Sequence, residues 1–124
     1  MAELERMKRI NFLEGDLKNG DFVSADETVT IPLGASYEGP VSLGVRPESI
    51  RIGTGGGLDL SVAVTYIEPL GSSEKVFVKA GRNELRAVVE ADAEVKIGDT
   101  LTITFLPKDI FLFEAQTGRR LSTD

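Results

Sequence analysis

The sequence predicts an all-β fold, a sandwich or barrel built from short strands. Apolar residues recur at every second position in several separate runs, which is the pattern of strands that bury one face. Turn signals rich in glycine and proline separate these runs. The only helical candidate is the short, charged segment 2–8. Short strands with frequent turns are typical of all-β sandwiches and barrels.

Five runs of alternating residues are predicted as strands, two in the first half of the chain and three in the second. Their apolar positions are Val29, Ile31 and Leu33; Val41, Leu43 and Val45; Leu58, Leu60, Val62, Val64 and Tyr66; Leu85, Ala87 and Val89; and Leu101, Ile103 and Phe105. Turns are predicted at residues 19–21, 32–40, 53–57, 69–71, 81–83 and 98–99. In each run the apolar face is expected to lie in the core and the other face mostly in water.

An internal repeat emerges when the sequence is shifted by 60 positions, so that residues 41–52 fall on residues 101–112. Each segment reads as strand, proline corner, strand, with Pro47 aligned on Pro107. Because proline cannot donate to a sheet ladder, each is expected where one strand ends and the chain turns into the next. The competing interpretation is chance, since alternation is common in β proteins. Two related halves, about 15–53 and 57–113, would each have the size of a small, partly open barrel of OB type.

Composition excludes several classes of chemistry. The chain has 124 residues, a formal charge of -6, and neither cysteine nor histidine, so it offers no Ser-His-Asp triad, no thiolate nucleophile and no zinc ligand set. The acidic balance disfavours nucleic acid, which is held mainly by Lys and Arg on phosphates. No apolar run approaches the roughly 20 residues that span a bilayer, so any membrane contact is expected to pass through a partner protein.

Three local patterns suggest ligand sites but lack essential residues. The loop 34–39 has two glycines but no lysine where a phosphate-binding loop needs one, and the glycine cluster 53–57 lacks the third glycine of a dinucleotide motif. The alternating acids Glu90, Asp92 and Glu94 lack the spacing of a calcium loop and are expected to form a solvated edge. No metal site and no catalytic residue are therefore predicted.

Charged residues flank two proline corners, Arg46 and Glu48 at the first and Glu68 at the second. Two interpretations stay open: these residues brace their own turns through charge-assisted hydrogen bonds, or they contact a partner or ligand at a loop tip. The second makes Arg46, Glu48 and Glu68 the candidate partner-contact residues. The residues predicted to shape turns are Pro47, Pro69, Gly71, Gly98, Asp99 and Pro107.

Five segments, in order along the chain, resemble a known family. They are residues 10–15 (INFLEG), 43–50 (LGVRPESI), 68–72 (EPLGS), 95–100 (VKIGDT) and 110–121 (IFLFEAQTGRRL). Together they are similar to the C-terminal regulatory domain, of TOBE or OB-like type, in the ATP-binding subunits of maltose- and glycerol-phosphate-type ABC importers. The resemblance assigns residues 10–124 to this domain. Residues 1–9 do not match it and are expected to be either an added segment or the start of a linker.

The resemblance implies two interleaved OB-like halves that follow an ATPase domain and contact a second copy of the same subunit. The assembly would lie in the cytoplasm at the inner face of the membrane, against the permease subunits, and would serve sugar or sugar-phosphate uptake. In the maltose branch such domains also receive a regulatory protein. The chain has no Walker A, signature or Walker B motif, so ATP and Mg²⁺ would bind in the ATPase domain and no cofactor is expected here.

The alternative function is a stand-alone sensor of a small ligand or oxyanion, because related TOBE-type domains in molybdate systems bind an anion between subunits. Such a site needs backbone N–H groups or basic side chains that converge on the anion, and a chain of charge -6 has no basic cluster. A free-standing enzyme is the third possibility, and no visible catalytic group supports it.

Overall fold

The computed structural model describes residues 10–121, and these form eleven β-strands and two single-turn 3₁₀ helices. The strands are β1 (Asn11–Lys18), β2 (Asp21–Ser24), β3 (Thr30–Pro32), β4 (Gly39–Val45), β5 (Arg51–Ile52), β6 (Leu58–Pro69), β7 (Ser73–Ala80), β8 (Asn83–Glu90), β9 (Thr100–Phe105), β10 (Ile110–Glu114) and β11 (Arg120–Leu121). The 3₁₀ turns are Pro47–Ser49 and Pro107–Asp109. The predicted helical candidate 2–8 and the segment 1–9 lie outside the described residues. The all-β fold class is confirmed.

The strands form two antiparallel sheets. Sheet 1 has the order β11-β10-β4-β1-β2-β3, and sheet 2 has the order β5-β9-β6-β7-β8. Side chains from both sheets pack into one continuous hydrophobic core, in which Phe22, Leu43, Phe105 and Leu112 are at most 2% exposed. No helix in residues 10–121 is long and apolar enough to cross a membrane.

Alternation places most of the predicted apolar residues in the core, but Tyr66 was expected there and is 55% exposed. The reason is a β-bulge in β6, where the pairing with β7 shifts between Val64 and Tyr66. A bulge inserts one residue and reverses the faces beyond it. Consequently Ile67, rather than Tyr66, packs against the core, and Tyr66 lies against Phe77 on the outer face, with ring centroids 5.6 Å apart.

The two sheets exchange strands. In sheet 1, β4 pairs with β1 and also with β10; in sheet 2, β9 pairs with β6 and also with β5. The chain therefore passes from sheet 1 to sheet 2 after β4 and returns after β9. Both passages occur at a proline-led 3₁₀ turn, at Pro47 and at Pro107. The topology consequently relates β1–β5 to β6–β10 by an approximate two-fold repeat, with the last strand of each half placed in the sheet of the other half.

Two polar contacts join parts of the fold that are distant in sequence. The buried carboxamide of Asn11 donates to the carbonyl of Arg86 and accepts from its N–H, both at 2.8 Å, and so links β1 to the edge of β8. The carboxylate of Asp26 accepts hydrogen bonds from Ser24, Thr28 and Asn83. Asp26 thereby joins the β2–β3 turn to the β7–β8 turn, which the two-fold repeat makes equivalent.

Candidate functional site

The outer face of sheet 1 carries an aromatic cluster next to two arginines. Phe12 on β1 and Phe111 on β10 both lie opposite Gly44 on β4. A Cβ on residue 44 would come within 3.1 Å of both Ile10 and Phe12, so glycine leaves the space that these side chains occupy. Phe113 is 8% exposed and its ring meets that of Phe12 edge-on, with centroids 6.2 Å apart. Phe12 itself is 39% exposed, so the cluster is open to solvent on one side.

Arg46 and Arg120 both stack on Phe111. Each guanidinium carbon lies 4.7 Å from the ring centroid, which is within the range of a cation–π interaction worth about 0.5–1 kcal/mol at an exposed site. Neither arginine forms an ion pair with a carboxylate among residues 10–121. We call the surface formed by Phe12, Phe111, Phe113, Arg46 and Arg120 the aromatic face. Aromatic residues and arginine are the types enriched in protein interfaces, where they supply most hot spots.

The aromatic face has an acidic counterpart farther along the same sheet. Glu14 lies on the same face of β1 as Phe12, and its carboxylate accepts a 2.7 Å hydrogen bond from Ser42. A shallow groove of about 240 Å³ runs here between Phe12, Glu14 and Phe113. Arg46 directly follows β4 and stands four residues beyond Ser42, the residue paired with Glu14, so the sheet surface changes from basic to acidic over about 13 Å at the rise of an extended strand.

Glu114 closes the hairpin at the end of β10. Its carboxylate accepts hydrogen bonds from Thr117 at 2.6 Å and from Tyr37 at 3.1 Å, and lies 3.5 Å from the guanidinium of Arg119. The hydrogen bond from Thr117, followed by that from Tyr37, holds the pKa of Glu114 below its ordinary value. Burial, followed by the hydrogen bond to Glu114, raises the pKa of Tyr37. This network fixes the β10–β11 hairpin that carries Arg120.

The three predicted contact residues lie in different places. Arg46 belongs to the aromatic face, whereas Glu48 is exposed on the first 3₁₀ turn. Glu68 lies on β6 in sheet 2, where its carboxylate is 3.6 Å from the ammonium group of Lys75. The N–H of Ser49 donates to the backbone carbonyl of Arg46 within this corner, but no hydrogen bond or ion pair among the described residues involves the side chain of Arg46 or Glu48. The structure therefore does not bring these three residues together.

The predicted turn residues lie at element boundaries. Pro47 and Pro107 each occupy the first position of a 3₁₀ turn, and Pro69 is the last residue of β6. Gly71 and Gly98 have φ values of 98° and 95°, which L side chains rarely adopt. The Asp99 carboxylate accepts a hydrogen bond from the N–H of Lys96 at 2.9 Å.

Sequence reasoning did not single out the three phenylalanines or Arg120 as a site. One signal for them is present: β10 reads Ile-Phe-Leu-Phe, and a strand that is apolar at consecutive positions has no polar face to turn to water. Leu112 fills the core, and Phe111 and Phe113 therefore form a second cluster on the outside.

Two grooves lie near the first 3₁₀ turn, and acidic side chains outnumber basic ones in both. The larger, of about 540 Å³, is lined by Glu48, Glu90 and Asp92 together with Arg51. The other, of about 450 Å³, is lined by Glu48 and Asp109 together with Arg51. In residues 10–121 no three Asp or Glu side chains are close enough together to form a metal site. Neither groove has the basic lining that an anion needs.

Comparisons with known proteins give a consistent result. The profile of the TOBE domain matches residues 43–113. An uncharacterized ABC transporter ATP-binding protein, y4oS, of Sinorhizobium fredii is 29% identical over 91% of this chain and 31% of its own length. The xylose/arabinose import ATP-binding protein XacJ of Haloferax volcanii is 30% identical over 95% of this chain and 35% of its own.

A third relative, the sn-glycerol-3-phosphate import ATP-binding protein UgpC of Cupriavidus pinatubonensis, is 29% identical over 73% of this chain and 25% of its own length. The chain thus spans about a third or less of these relatives. Among solved structures, the cytoplasmic molybdate-binding protein ModG, in a form with molybdate bound, superimposes with a TM-score of 0.68 over 82% of this chain and 94% of that chain. Its sequence identity of 15% makes this a similarity of fold.

Proposed function

Because this chain belongs to the TOBE domain family, we propose that it is a non-catalytic regulatory and dimerisation domain of an ABC importer's ATP-binding subunit, for a sugar or sugar phosphate. The observation that carries the proposal is the match of 73% to 95% of the chain to part of such subunits, two of which are named for xylose/arabinose and glycerol-3-phosphate import. ATP and Mg²⁺ would bind in the remaining part of the subunit. The complex would lie at the cytoplasmic face of the membrane, against its permease subunits.

The proposed role is mechanical. Two copies of the domain pair and provide a fixed pivot while the ATPase parts of the two subunits open and close. Strand exchange between the sheets supports this role, because neither half can move away from the other without breaking the β4–β10 and β5–β9 ladders. A regulatory protein that binds one domain could then act on both ATPase parts through the pivot.

We place the contact between copies on the aromatic face. A two-fold axis requires a surface that is complementary to itself. With Arg46 at one end and Glu14 at the other, an antiparallel pairing of two aromatic faces brings the guanidinium of each copy towards the carboxylate of the other and buries Phe12 and Phe111 between them. Arg46 is therefore the strongest of the three predicted contact residues, and Glu48 and Glu68 are candidates for contacts with the permease or a regulator.

Sedimentation velocity of the chain over a wide concentration range tests the pairing. A small isolated module is expected to form a weak dimer. Arg46→Glu should raise the dimer dissociation constant at least tenfold, because it places a carboxylate against Glu14 of the second copy. Arg120→Glu should also weaken the dimer, because it removes the second guanidinium from Phe111. Lys79→Glu, an exposed charge reversal on β7 in sheet 2, is the matched control and should leave the dimer unchanged. Only monomer at every concentration would refute the dimer, and a dimer insensitive to Arg46 would refute its placement.

An immunoblot of source cells with an antibody against this chain tests the parent subunit. A band of the size of a full ATP-binding subunit supports the importer proposal. A band near 13.4 kDa would overturn it and make the stand-alone sensor the leading function.

The similarity of fold to ModG keeps an oxyanion sensor as the second candidate. The acidic lining of the two grooves at Glu48 argues against an anion there, so such a site would have to form between copies. Thermal-shift measurements with molybdate, sulfate and sugars distinguish the two functions, because a ligand that binds the native state raises Tm with its concentration.

A further inference from the structure

The longest edge strand in the described residues is β8, and its edge is only partly open: Asn11 binds the N–H and C=O of Arg86, and the C=O of Glu90 accepts a hydrogen bond from the N–H of Ala93. The other edge strands are short: β3 has three residues and ends in Pro32, and β5 and β11 have two residues each. Short edge strands and proline are common devices that prevent a sheet from pairing with another chain. β8 has eight residues, Asn83–Glu90, and contains no proline, so its edge lacks both devices.

The outward backbone groups of β8 can be identified from Asn11. In an antiparallel pair, the N–H and C=O of alternate residues point away from the neighbouring strand. The backbone N–H and C=O of Arg86 point away from β7, because both bind the Asn11 carboxamide. The regular β7–β8 register therefore directs the N–H and C=O of Val88 outward as well. Outside the strand ladders, no backbone hydrogen bond within residues 10–121 involves either group of Val88.

The edge at Val88 opens into the larger of the two grooves, about 540 Å³ between β8 and the first proline corner with β5. Five of its nine lining residues are apolar, and one of these five, Ile52, is 37% exposed. Its rim carries three carboxylates and one guanidinium. The lining residues are Glu48, Ile50, Arg51, Ile52, Val88, Val89, Glu90, Asp92 and Ala93. The groove therefore combines strand-pairing groups, apolar walls and a negative rim.

We propose that this groove binds an extended segment of a partner protein, with Lys or Arg at alternate positions, which adds to β8 as a further strand. Backbone hydrogen bonds to Val88 would supply affinity, and alternate side chains would supply specificity, as in other cases of strand addition. The Asn11 carboxamide already binds the N–H and C=O of Arg86 on this edge, as the backbone of an added strand would. The negative rim selects a basic segment over an acidic one. The groove is distinct from the aromatic face, so the site is independent of the proposed pairing of copies.

Titration of the ¹⁵N-labelled chain with the peptide acetyl-Lys-Val-Lys-Val-Lys-amide, followed by NMR, tests the proposal. The Val88 amide should shift and become protected from hydrogen exchange, while distant amides remain unchanged. The same peptide with every backbone nitrogen methylated cannot pair along the edge and should bind more weakly, and acetyl-Glu-Val-Glu-Val-Glu-amide should not bind. No shift at Val88, or equal binding of the N-methylated peptide, would overturn the proposal.

Two charge reversals locate the interaction on the rim. Glu90→Lys and Asp92→Lys should each weaken peptide binding about two- to fivefold, as expected for exposed charge pairs. Glu84→Lys, an exposed reversal at the opposite end of β8, should have no effect and controls for net charge. An equal effect of all three variants would mean non-specific attraction and overturn the site. Shifts at Val88 that depend on protein concentration without peptide would identify a second copy as the occupant and would also overturn it.

Discussion

Removal of the Asn11 carboxamide should destabilise the chain by about 2–4 kcal/mol. The side chain is 3% exposed and makes two hydrogen bonds of 2.8 Å with the backbone of Arg86. Asn11→Ala leaves one donor and one acceptor without partners in a partly buried place, and each such group costs about 1–3 kcal/mol. Water that enters the vacated space would recover part of this cost. Native domains have a free energy of unfolding of about 5–15 kcal/mol, so this loss is a substantial fraction of the total stability.

Urea unfolding followed by circular dichroism measures the effect. The midpoint should fall with an unchanged m value, and the Arg86 amide should lose protection from hydrogen exchange. Asn11→Asp retains the acceptor but loses the donor and buries a charge, so it should be at least as destabilising at neutral pH. Gln116→Ala removes an exposed carboxamide and should change stability by at most about 0.5 kcal/mol. A loss below 0.5 kcal/mol for Asn11→Ala, with Arg86 still protected, would refute the reasoning.

Two further predictions concern the contact between the β2–β3 and β7–β8 turns. Gly81 has a φ of 64° and a Cβ there would collide with Thr28, so Gly81→Ala should lower the free energy of unfolding in urea by about 1–3 kcal/mol. Gly71→Ala is the control, because there is open space around Gly71, and it should lower the free energy of unfolding by about 1 kcal/mol. Hydrogen bonds from Ser24 and Thr28 hold the pKa of Asp26 below its ordinary value. A carboxylate with a lowered pKa stabilises the native state fully above its unfolded pKa, near 4, and loses this contribution as the pH falls through the native pKa. The difference in Tm between the native chain and Asp26→Asn should therefore shrink from pH 6 to pH 2, and a constant difference would contradict this account.

The faces of the strands could be predicted from alternation because the core selects one side of each pleat. Val41, Leu43 and Val45 are all buried as predicted. The prediction that Tyr66 is buried is wrong, because the bulge depends on the pairing with β7 and cannot be detected in the alternation of residue types. β7 itself was not among the predicted runs, although Val76 and Val78 alternate there and are buried.

The sequence repeat predicts the two proline corners, but it does not predict that the two halves exchange strands. Alignment of Pro47 on Pro107 predicts that two segments have the same shape, and both form strand, 3₁₀ turn and strand. Which sheet the strand after each corner joins is decided by long-range pairing, and local residues carry no signal of it. The same limit applies to the candidate site. Arg46 could be named from its corner, but its stacking on Phe111 exists only because β10 returns beside β4.

The strand exchange gives the proposed pivot a physical basis. In a chain of two independent barrels, each half would keep its own last strand, and the halves would be joined only by a glycine-rich link. Here β10 completes sheet 1 and β5 completes sheet 2, so separation of the halves would break two ladders and expose core residues such as Leu112. The contact between Asp26 and Asn83 adds a polar link between equivalent turns. A force applied to either sheet is therefore transmitted through paired strands, which suits the pivot that we propose.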